Sequence, residues 1–306
     1  MAFDPKSDTW IPPCDLCGSF RHQSVKLSAD VVARRCLDCG LVSVARGEHA
    51  LRDDPRGRAG MPDALMIDLL KRLAENRMLS VLLVGVPSAA VAATARDLGV
   101  SMMVLSEPGS GEVPGIPTFQ AKFETHSFLP DQFDLILCAR GLESFTSPSL
   151  LFDRARHWLA PGGTLLVGAL NFGSLPARMR RGNWLARYAM TSEYLLSLDV
   201  IKGYAERFGF DIRSVRTRSN TSEVAAVITG HERPAWLTEM AVAPVALMAS
   251  LLGMGVMVIV EMTRGGLAVR PLLRTVEEQS EGAPGLAPAL YAGVQRELVT
   301  AGPGEK

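Results

Sequence analysis

Four cysteines in two short motifs are the residues of this sequence best suited to chemistry. Each motif reads Cys-x-x-Cys-Gly, and 18 residues separate the two, which is within the spacing of four-cysteine zinc sites. Two thiolates on one tight turn occupy two corners of a tetrahedral ion, and a second such turn completes the set. Because all four ligands are thiolates, no coordination position is left for a substrate, and we predict a structural Zn²⁺. The predicted ligands are Cys14, Cys17, Cys36 and Cys39. A redox pair or free thiols is the alternative.

A second stretch, from Ser80 to Ala90, has the pattern of a ligand-binding turn. An apolar run ends at Gly85, and an alanine-rich segment then continues to Gly99. This order predicts a buried parallel strand, a tight turn and a helix, and nucleotides bind at such a turn in Rossmann-type folds. Glu107 follows the next apolar run, 22 residues after Gly85, where an acidic residue binds the ribose in those folds. A solvated loop carboxylate is the alternative for Glu107.

The elements that must position these residues alternate between strands and helices. Further apolar runs predict strands at residues 101–105, 118–123, 134–139 and 164–168. This alternation predicts an α/β fold, and the short runs between Ser24 and Arg35 predict a small β-hairpin between the cysteine pairs. The predicted division is a zinc-ribbon-like module (1–50), a linker and leading helix (51–78), a Rossmann domain (79–264) and a C-terminal tail (265–306) with a short helix near 286–298.

Several further motifs occur between the cysteine pairs and residue 264. They are Leu41-Val42, Glu107-Pro108, Phe133-Asp134-Leu135-Ile136, Leu142-Glu143, Trp158-Leu159-Ala160-Pro161-Gly162-Gly163-Thr164-Leu165 and Ala205-Glu206-Arg207-Phe208-Gly209-Phe210. Together with the cysteine motifs, they resemble class I S-adenosylmethionine (SAM)-dependent methyltransferases of the subgroup with an N-terminal zinc-ribbon-like module. The resemblance implies a Rossmann-like seven-stranded methyltransferase sheet behind a four-cysteine zinc ribbon, with SAM as the cofactor.

The first motif of that family departs here from its usual pattern. Family members carry acidic-x-Gly-x-Gly-x-Gly, and this chain has Leu83, Gly85, Pro87 and Ala89 at those positions. Leucine cannot bind the amino group in the methionine part of SAM, proline has no N–H, and alanine adds a methyl group where space is short. Ser88 is a partial replacement, either as the cap of the following helix or as a hydroxyl donor.

The resemblance implies roles for a few residues. The candidate cofactor-binding residues are Gly85, Ser88, Glu107 and Glu124. Glu143 is the candidate base or acceptor-orienting group, and the histidine that often follows it in the family is Ser144 here. Residues 171–188 lie where family members tend to cover the substrate. Their arginines and aromatic residues suit either an anionic or planar substrate or, as we favour, a solvated helix face with one packed tryptophan.

A long apolar stretch near the end of the domain raises the question of a membrane. Residues 241–260 carry no charge over a length that can span a bilayer, but a proline and two glycines interrupt them. We therefore predict a buried helix within a helical insertion at 234–252 and a core strand at 256–260, and we do not expect a membrane contact. The alternative pairs residues 211–218 with 223–229 as the terminal hairpin and frees the apolar stretch as a membrane anchor.

Two functions agree with these observations. The first is methyl transfer from SAM to a small-molecule or carrier-bound acceptor. The second is a non-catalytic methyltransferase homologue that serves as a scaffold or partner subunit, which the altered first motif favours. Basic and acidic residues number 32 each, which argues against a nucleic-acid partner. The paired cysteines, and an N-terminus without a signal-peptide pattern, predict a reducing, cytoplasmic location.

Overall fold

The computed structural model describes residues 2–4, 9–27, 32–44, 61–75, 78–188, 192–230 and 236–265. The predicted linker after residue 44 and the predicted helix in the tail lie outside this part of the chain. The strands are β1 (Ala2–Asp4), β2 (Thr9–Ile11), β3 (His22–Lys26), β4 (Val32–Cys36), β5 (Val42–Val44), β6 (Ser80–Val84), β7 (Ser101–Ser106), β8 (Thr118–Gln120), β9 (Phe133–Gly141), β10 (Leu159–Leu170), β11 (Tyr194–Leu195), β12 (Phe210–Arg218) and β13 (Met257–Arg264). The α-helices are α1 (Asp63–Ala74), α2 (Ala89–Asp97), α3 (Pro148–Trp158), α4 (Leu175–Met179), α5 (Arg181–Tyr188), α6 (Leu198–Arg207), α7 (Thr221–Thr229) and α8 (Trp236–Leu251), with a 3₁₀ turn at Leu142–Ser144.

The main sheet has seven strands in the order β12-β13-β10-β9-β6-β7-β8. The strands β10, β9, β6, β7 and β8 run parallel to their neighbours, and β13 is antiparallel to both β10 and β12. The seven-stranded Rossmann-like sheet predicted from the resemblance is therefore confirmed. Parallel strands of this kind are covered on both faces, which explains why their sequences are continuous apolar runs.

Two layers of helices cover the sheet. On one face, Phe152 of α3 and Tyr204 of α6 belong to a cluster that includes Leu82 of β6. On the other face, Leu70 of α1 packs in a cluster with Leu83 of β6. Successive residues of a strand point to opposite faces, so the apolar run in β6 supplies both cores.

The unit formed by β6 and α2 has the predicted geometry. The strand ends at Gly85, whose φ of +112° is accessible mainly to glycine. Ser88 is the N-cap of α2, and its Oγ accepts a hydrogen bond from the Val91 N–H at 3.2 Å. Gly99, with φ +65°, follows the end of the helix, where a left-handed residue satisfies the last carbonyls.

The segment between β12 and β13 corrects two expectations. Residues 223–229, which the alternative reading paired as a strand, lie in the helix α7, so the terminal hairpin is wrong. The strand predicted at 256–260 is confirmed as part of β13. The helix predicted before it is α8, but it is not buried, because only Val242, Ala246 and Ala249 are enclosed and the rest of its apolar surface faces outward. None of the described helices combines the length and the hydropathy needed to cross a membrane.

A second sheet holds the cysteine motifs. Its order is β11-β5-β4-β3, and β3 and β4 form the predicted hairpin with His22 opposite Cys36. The fourth strand, β11, is distant from the other three in the sequence and belongs to the main domain. Its residue Leu195 pairs with Val42, and Tyr194 pairs with Ser43. Backbone hydrogen bonds therefore join the cysteine-containing segment to the methyltransferase-like domain.

Candidate functional site

The four predicted metal ligands converge on one point. Their Sγ atoms all lie within 4.8 Å of one another. The Cys14 and Cys39 sulfurs are 3.4 Å apart, and those of Cys17 and Cys36 are 3.5 Å apart. With Zn–S bonds of about 2.3 Å, a tetrahedral zinc ion needs sulfurs about 3.8 Å apart, so small shifts of these side chains would accommodate it. The donor set fits a closed four-thiolate site.

Two matching turns supply these cysteines. In the first, the N–H of Gly18 donates to the Cys14 carbonyl at 2.8 Å, and in the second the N–H of Gly40 donates to the Cys36 carbonyl at 3.1 Å. Both glycines have positive φ, +72° and +77°, which closes each turn around the sulfurs at little steric cost. The repeated Cys-x-x-Cys-Gly pattern is thus the local sequence code for two matching turns, which we call knuckles.

The surroundings of Cys14 and Cys17 favour the protonated thiols. The hydrogen bond with Cys39, and then burial, raise the pKa of the Cys14 thiol well above its usual range. Burial is the main cause that raises the pKa of Cys17, to about 12. Four crowded sulfurs disfavour accumulated negative charge, and a divalent ion removes that penalty by binding the thiolates directly.

Asp15, between the first two cysteines, fixes this knuckle to the main domain. Its Oδ1 accepts from the Ser147 hydroxyl at 2.6 Å, and its Oδ2 accepts from the Ser149 N–H at 2.9 Å and from the Tyr204 hydroxyl at 2.7 Å. Ser147 is the N-cap of α3, so the carboxylate lies at the positive end of a helix. The next residue, Leu16, packs closely against Gly203 of α6. The knuckle is therefore anchored on α3 and α6.

The carboxyl ends of β6, β7 and β9 form the edge where a Rossmann-type fold binds its ligand. Gly85 lies at the end of β6, and its N–H donates to the Leu105 carbonyl at 2.8 Å. A Cβ at Gly85 would lie 3.2 Å from the Ala139 Cβ and 3.3 Å from the Arg140 Cγ. The glycine is thus needed for the close approach of β9 as well as for the turn.

Glu107, the predicted ribose-binding residue, is held by an arginine. The Arg140 Nη1 donates to the Glu107 Oε1 at 2.5 Å, and the same guanidinium donates from Nη2 to the Ser144 carbonyl at 3.3 Å. Its carbon Cζ also lies 5.4 Å from the centre of the Phe145 ring. These contacts place a cationic side chain at the end of β9, paired with the carboxylate that was predicted to bind the ribose.

Little space remains at this edge. The cavity bounded by Gly85, Ser106, Glu107, Arg140 and Phe145 holds about 10 Å³. A water molecule needs about 10–15 Å³, whereas pockets for small molecules measure about 300–1,000 Å³. In this conformation the described residues leave a cavity here that is too small for a molecule of the size of SAM. A wider cavity of about 200 Å³ lies at the opposite end of β7, beside Arg96 and Gly115, and none of the candidate residues lines it.

The residues at the altered positions of the first motif take part in packing or in forming the helix α2. Leu83 is fully buried in the cluster that contains Leu69 and Val91. Pro87 is buried and Ala89 is the first residue of α2. Each of these residues therefore has a packing or helix-forming role, as Ser88 has through its cap.

Glu143, the candidate base, is buried inside the domain and does not line the cavity. Its Oε2 accepts the Leu170 N–H at 3.1 Å, and its carbonyl accepts the Glu193 N–H at 2.7 Å. Burial raises the pKa of Glu143 from 4.5 to about 7. A Cβ at Gly141 would overlap the carboxyl group, so glycine is required there. These contacts make Glu143 a link between the ends of β9 and β10.

The remaining candidates lie outside the cavity. The backbone carbonyl of Glu124 accepts a hydrogen bond from Arg154 Nη2 at 2.7 Å, and Glu124 does not line the cavity beside Gly85. The Ser144 hydroxyl donates to the Gly141 carbonyl at 2.7 Å. In the segment 171–188, Trp184 is buried among Phe172 and neighbouring aromatic rings, which agrees with a helix that has one packed tryptophan.

Sequence reasoning missed two residues that the structure brings to prominence. Arg140 belongs to no motif, although it lies at the carboxyl end of β9, the edge of the sheet where Rossmann-type folds bind ligands. Asp15 occupies an unspecified position of the first Cys-x-x-Cys motif, yet its side chain makes three hydrogen bonds to the main domain. In both cases the partner lies in another element, which the sequence pattern alone does not reveal.

Comparison with known proteins agrees with the fold. Residues 59–215 match the family described as Methyltransferase domain. Solved structures with a similar fold include an S-adenosylmethionine-dependent methyltransferase from Mesorhizobium loti, with 18% identity, 64% of this chain and 96% of that chain covered, and a TM-score of 0.44. Another is phosphoethanolamine N-methyltransferase 2 from Haemonchus contortus, with 15% identity, coverages of 66% and 53%, and a TM-score of 0.44.

A third similar structure is the [4+2]-cyclase SpnF, with 15% identity, coverages of 69% and 85%, and a TM-score of 0.45. No curated protein matches this sequence. The matched family spans half of the chain, and the seven-stranded sheet and the four-cysteine cluster accompany it. The chain therefore belongs to the class I SAM-dependent methyltransferase family, and it carries a four-cysteine cluster ahead of the family's domain.

Proposed function

We propose that this chain is a non-catalytic methyltransferase homologue that serves as a scaffold or partner subunit. One observation carries this proposal: Arg140 forms an ion pair with Glu107 at 2.5 Å and leaves a cavity of about 10 Å³ where the cofactor would bind. A bound SAM molecule would have to displace the guanidinium from three contacts, with a carboxylate, a carbonyl and an aromatic ring.

The altered first motif supports the same proposal independently. Leu83 offers no charge to the amino group of SAM, and Pro87 offers no N–H. A missing polar or charged contact costs about 1–3 kcal/mol. Two such losses weaken binding by about 100-fold or more. Movement of the Arg140 side chain away from Glu107 would therefore not by itself restore the affinity for SAM that family members with an intact first motif have.

Methyl transfer to a small-molecule or carrier-bound acceptor is the second candidate function. It is favoured by two buried polar atoms at the same edge, the Ser106 Oγ and the Arg140 Nε, neither of which has a hydrogen-bond partner in the described part of the chain. Such atoms are usually satisfied by water or a ligand. Under this alternative, Gly85 and Glu107 would bind SAM. Glu143 would help to position the ends of β9 and β10 and would not contact the acceptor, because its carboxyl group is buried.

Calorimetric titration with SAM separates the two functions. For the zinc-supplemented wild type we expect no binding or a Kd weaker than about 100 µM, in keeping with the lost contacts. The Arg140→Ala variant removes the ion pair, and a gain in affinity would identify Arg140 as the obstruction. The matched control is Arg213→Ala, which removes an exposed arginine from β12. Binding to the wild type at low micromolar level would refute the proposal and favour methyl transfer.

We also propose that the cysteine cluster holds a structural zinc ion. The support is a donor set of four convergent thiols and the absence of a non-cysteine ligand within it. Because Asp15 and Leu16 lie between two of the ligands and contact α3 and α6, a bound ion would hold this anchor in place. The proposed role of the metal is thus to attach the N-terminal segment firmly to the methyltransferase-like domain.

A further inference from the structure

The outward side of α8 carries a group of large exposed apolar side chains. Six large apolar side chains of the helix, together with the residue that follows it, are between 52% and 72% exposed. They are Trp236, Leu237, Met240, Leu247, Met248, Leu251 and Leu252. Scattered exposed apolar residues are ordinary, but a contiguous group of this kind marks an interaction surface.

The helix has one buried side and one outward side. Val242, Ala246 and Ala249 are enclosed at helical spacing and belong to the inward side, where Ala246 joins the cluster of Trp184 and Ala225. The inward residues are small, so the helix lies close to its support while its large side chains point away from it. Its 16 residues are too few to cross a bilayer, and Glu239 is its only charged residue.

Exposed arginines adjoin the end of this helix. The Leu175 N–H of α4 donates to the Met254 carbonyl at 2.9 Å, which places α4 beside the end of α8. Exposed residues of α4 and of the α4–α5 junction include Arg178, Met179, Arg180 and Arg181. Arg218 is also exposed, and its backbone lies within 3 Å of a Cβ built at Gly255, just after the helix.

We propose that α8 lies flat in the interface of an anionic lipid bilayer, with its large apolar side chains among the acyl chains and the neighbouring arginines against the lipid phosphates. An apolar helix face bordered by cations is the arrangement that binds such surfaces. Among the described residues, these four arginines outnumber Glu239 of α8 and Glu223 of the adjoining helix α7, which leaves the surroundings of the helix with a positive charge. A second copy of the chain would instead bring a second set of these arginines to the contact, so that cations would outnumber anions on both sides of it.

This proposal is independent of whether the chain binds SAM. It replaces the expectation of no membrane contact, which rested on burial of the helix. The contact proposed is peripheral, because the helix does not span the bilayer.

The test is cosedimentation of the full chain with sucrose-loaded vesicles of phosphatidylcholine, with and without phosphatidylserine. We expect the wild type to bind the phosphatidylserine vesicles at least about tenfold more strongly than the neutral ones. The Leu247→Ser, Leu251→Ser double variant should lose at least about tenfold in binding to both, because two exposed side chains one turn apart leave the acyl region. The Arg178→Gln, Arg180→Gln double variant should lose only the preference for phosphatidylserine.

The matched control removes equal apolar surface elsewhere. Met78 and Leu129 are exposed to 76% and 73%, and the Met78→Ser, Leu129→Ser variant should bind vesicles like the wild type. Thermal unfolding of each variant shows whether the fold is kept. The proposal fails if the wild type stays in the supernatant with every vesicle, or if the α8 variant binds as well as the control. It also fails if sedimentation equilibrium shows a dimer that the α8 variant abolishes, since a second copy would then cover the helix.

Discussion

The buried carboxyl group of Glu143 should make the stability of this protein depend on pH. The side chain is 3% exposed, and burial raises its pKa from 4.5 to about 7. The folded protein therefore favours the protonated form. The contribution of Glu143 to the free energy of unfolding is fully present below pH 4.5, where the carboxyl group is protonated in the unfolded chain as well. This contribution is lost as the pH rises through 7.

The size of the effect follows from the two pKa values. Each pH unit between them corresponds to about 1.4 kcal/mol. The free energy of unfolding is therefore reduced by about 1 kcal/mol at pH 5.5 and by about 3 kcal/mol above pH 8. Glu143→Gln removes the ionisation, while its amide oxygen can still accept the Leu170 N–H. We expect the variant to gain about 2 kcal/mol relative to the wild type between pH 5.5 and pH 8.5.

Urea unfolding followed by tryptophan fluorescence, at several pH values and constant ionic strength, measures this difference. Glu112→Gln, which changes an exposed carboxylate on a loop, is the matched control and should follow the wild type at every pH. Because other groups titrate equally in all three proteins, only the differences between them matter. If the free energy of unfolding depends on pH equally in Glu143→Gln and in the wild type, the carboxyl group of Glu143 is solvated and the assigned burial is wrong.

Two further predictions concern the cysteine cluster and its anchor. Metal analysis of the purified chain should find about one zinc ion. Cys36→Ser or a strong chelator should unfold the N-terminal segment, as measured by circular dichroism. A segment that stays folded without metal would contradict the proposed zinc site. Asp15→Asn should lower the free energy of unfolding by about 1–3 kcal/mol, since the ionic acceptor of three hydrogen bonds becomes a neutral amide. Asp38→Asn, at an exposed carboxylate that contacts Ser19 and Arg21, is the control, and an equal effect of both substitutions would show that Asp15 is no anchor.

Local spacing was enough to predict the cluster of four cysteines and the first βα unit. The cysteine knuckles depend on turns of five residues, each closed by its own glycine, so the pattern Cys-x-x-Cys-Gly specifies them without help from the rest of the chain. The same holds for the run from Ser80 to Val84, which is apolar at every position after the first because both of its faces are covered. Ser88 was predicted to cap the next helix on the same local grounds.

The contacts that shape the candidate site join distant parts of the sequence, and no local pattern contains them. The hydrogen bond between Arg140 and Glu107 spans 33 residues, and that between Ser147 and Asp15 spans 132. The apolar composition of α8 was visible in the sequence, but burial was the wrong prediction for it. Composition alone does not say which side of a helix another element covers, and that depends on the small residues Ala246 and Ala249 meeting their neighbours in the folded chain. The sequence by itself therefore determined the family, the sheet and the cysteine cluster. Only the tertiary structure decided that Arg140 pairs with Glu107 and that the large side chains of α8 face outward, because both depend on which distant elements meet in the folded chain.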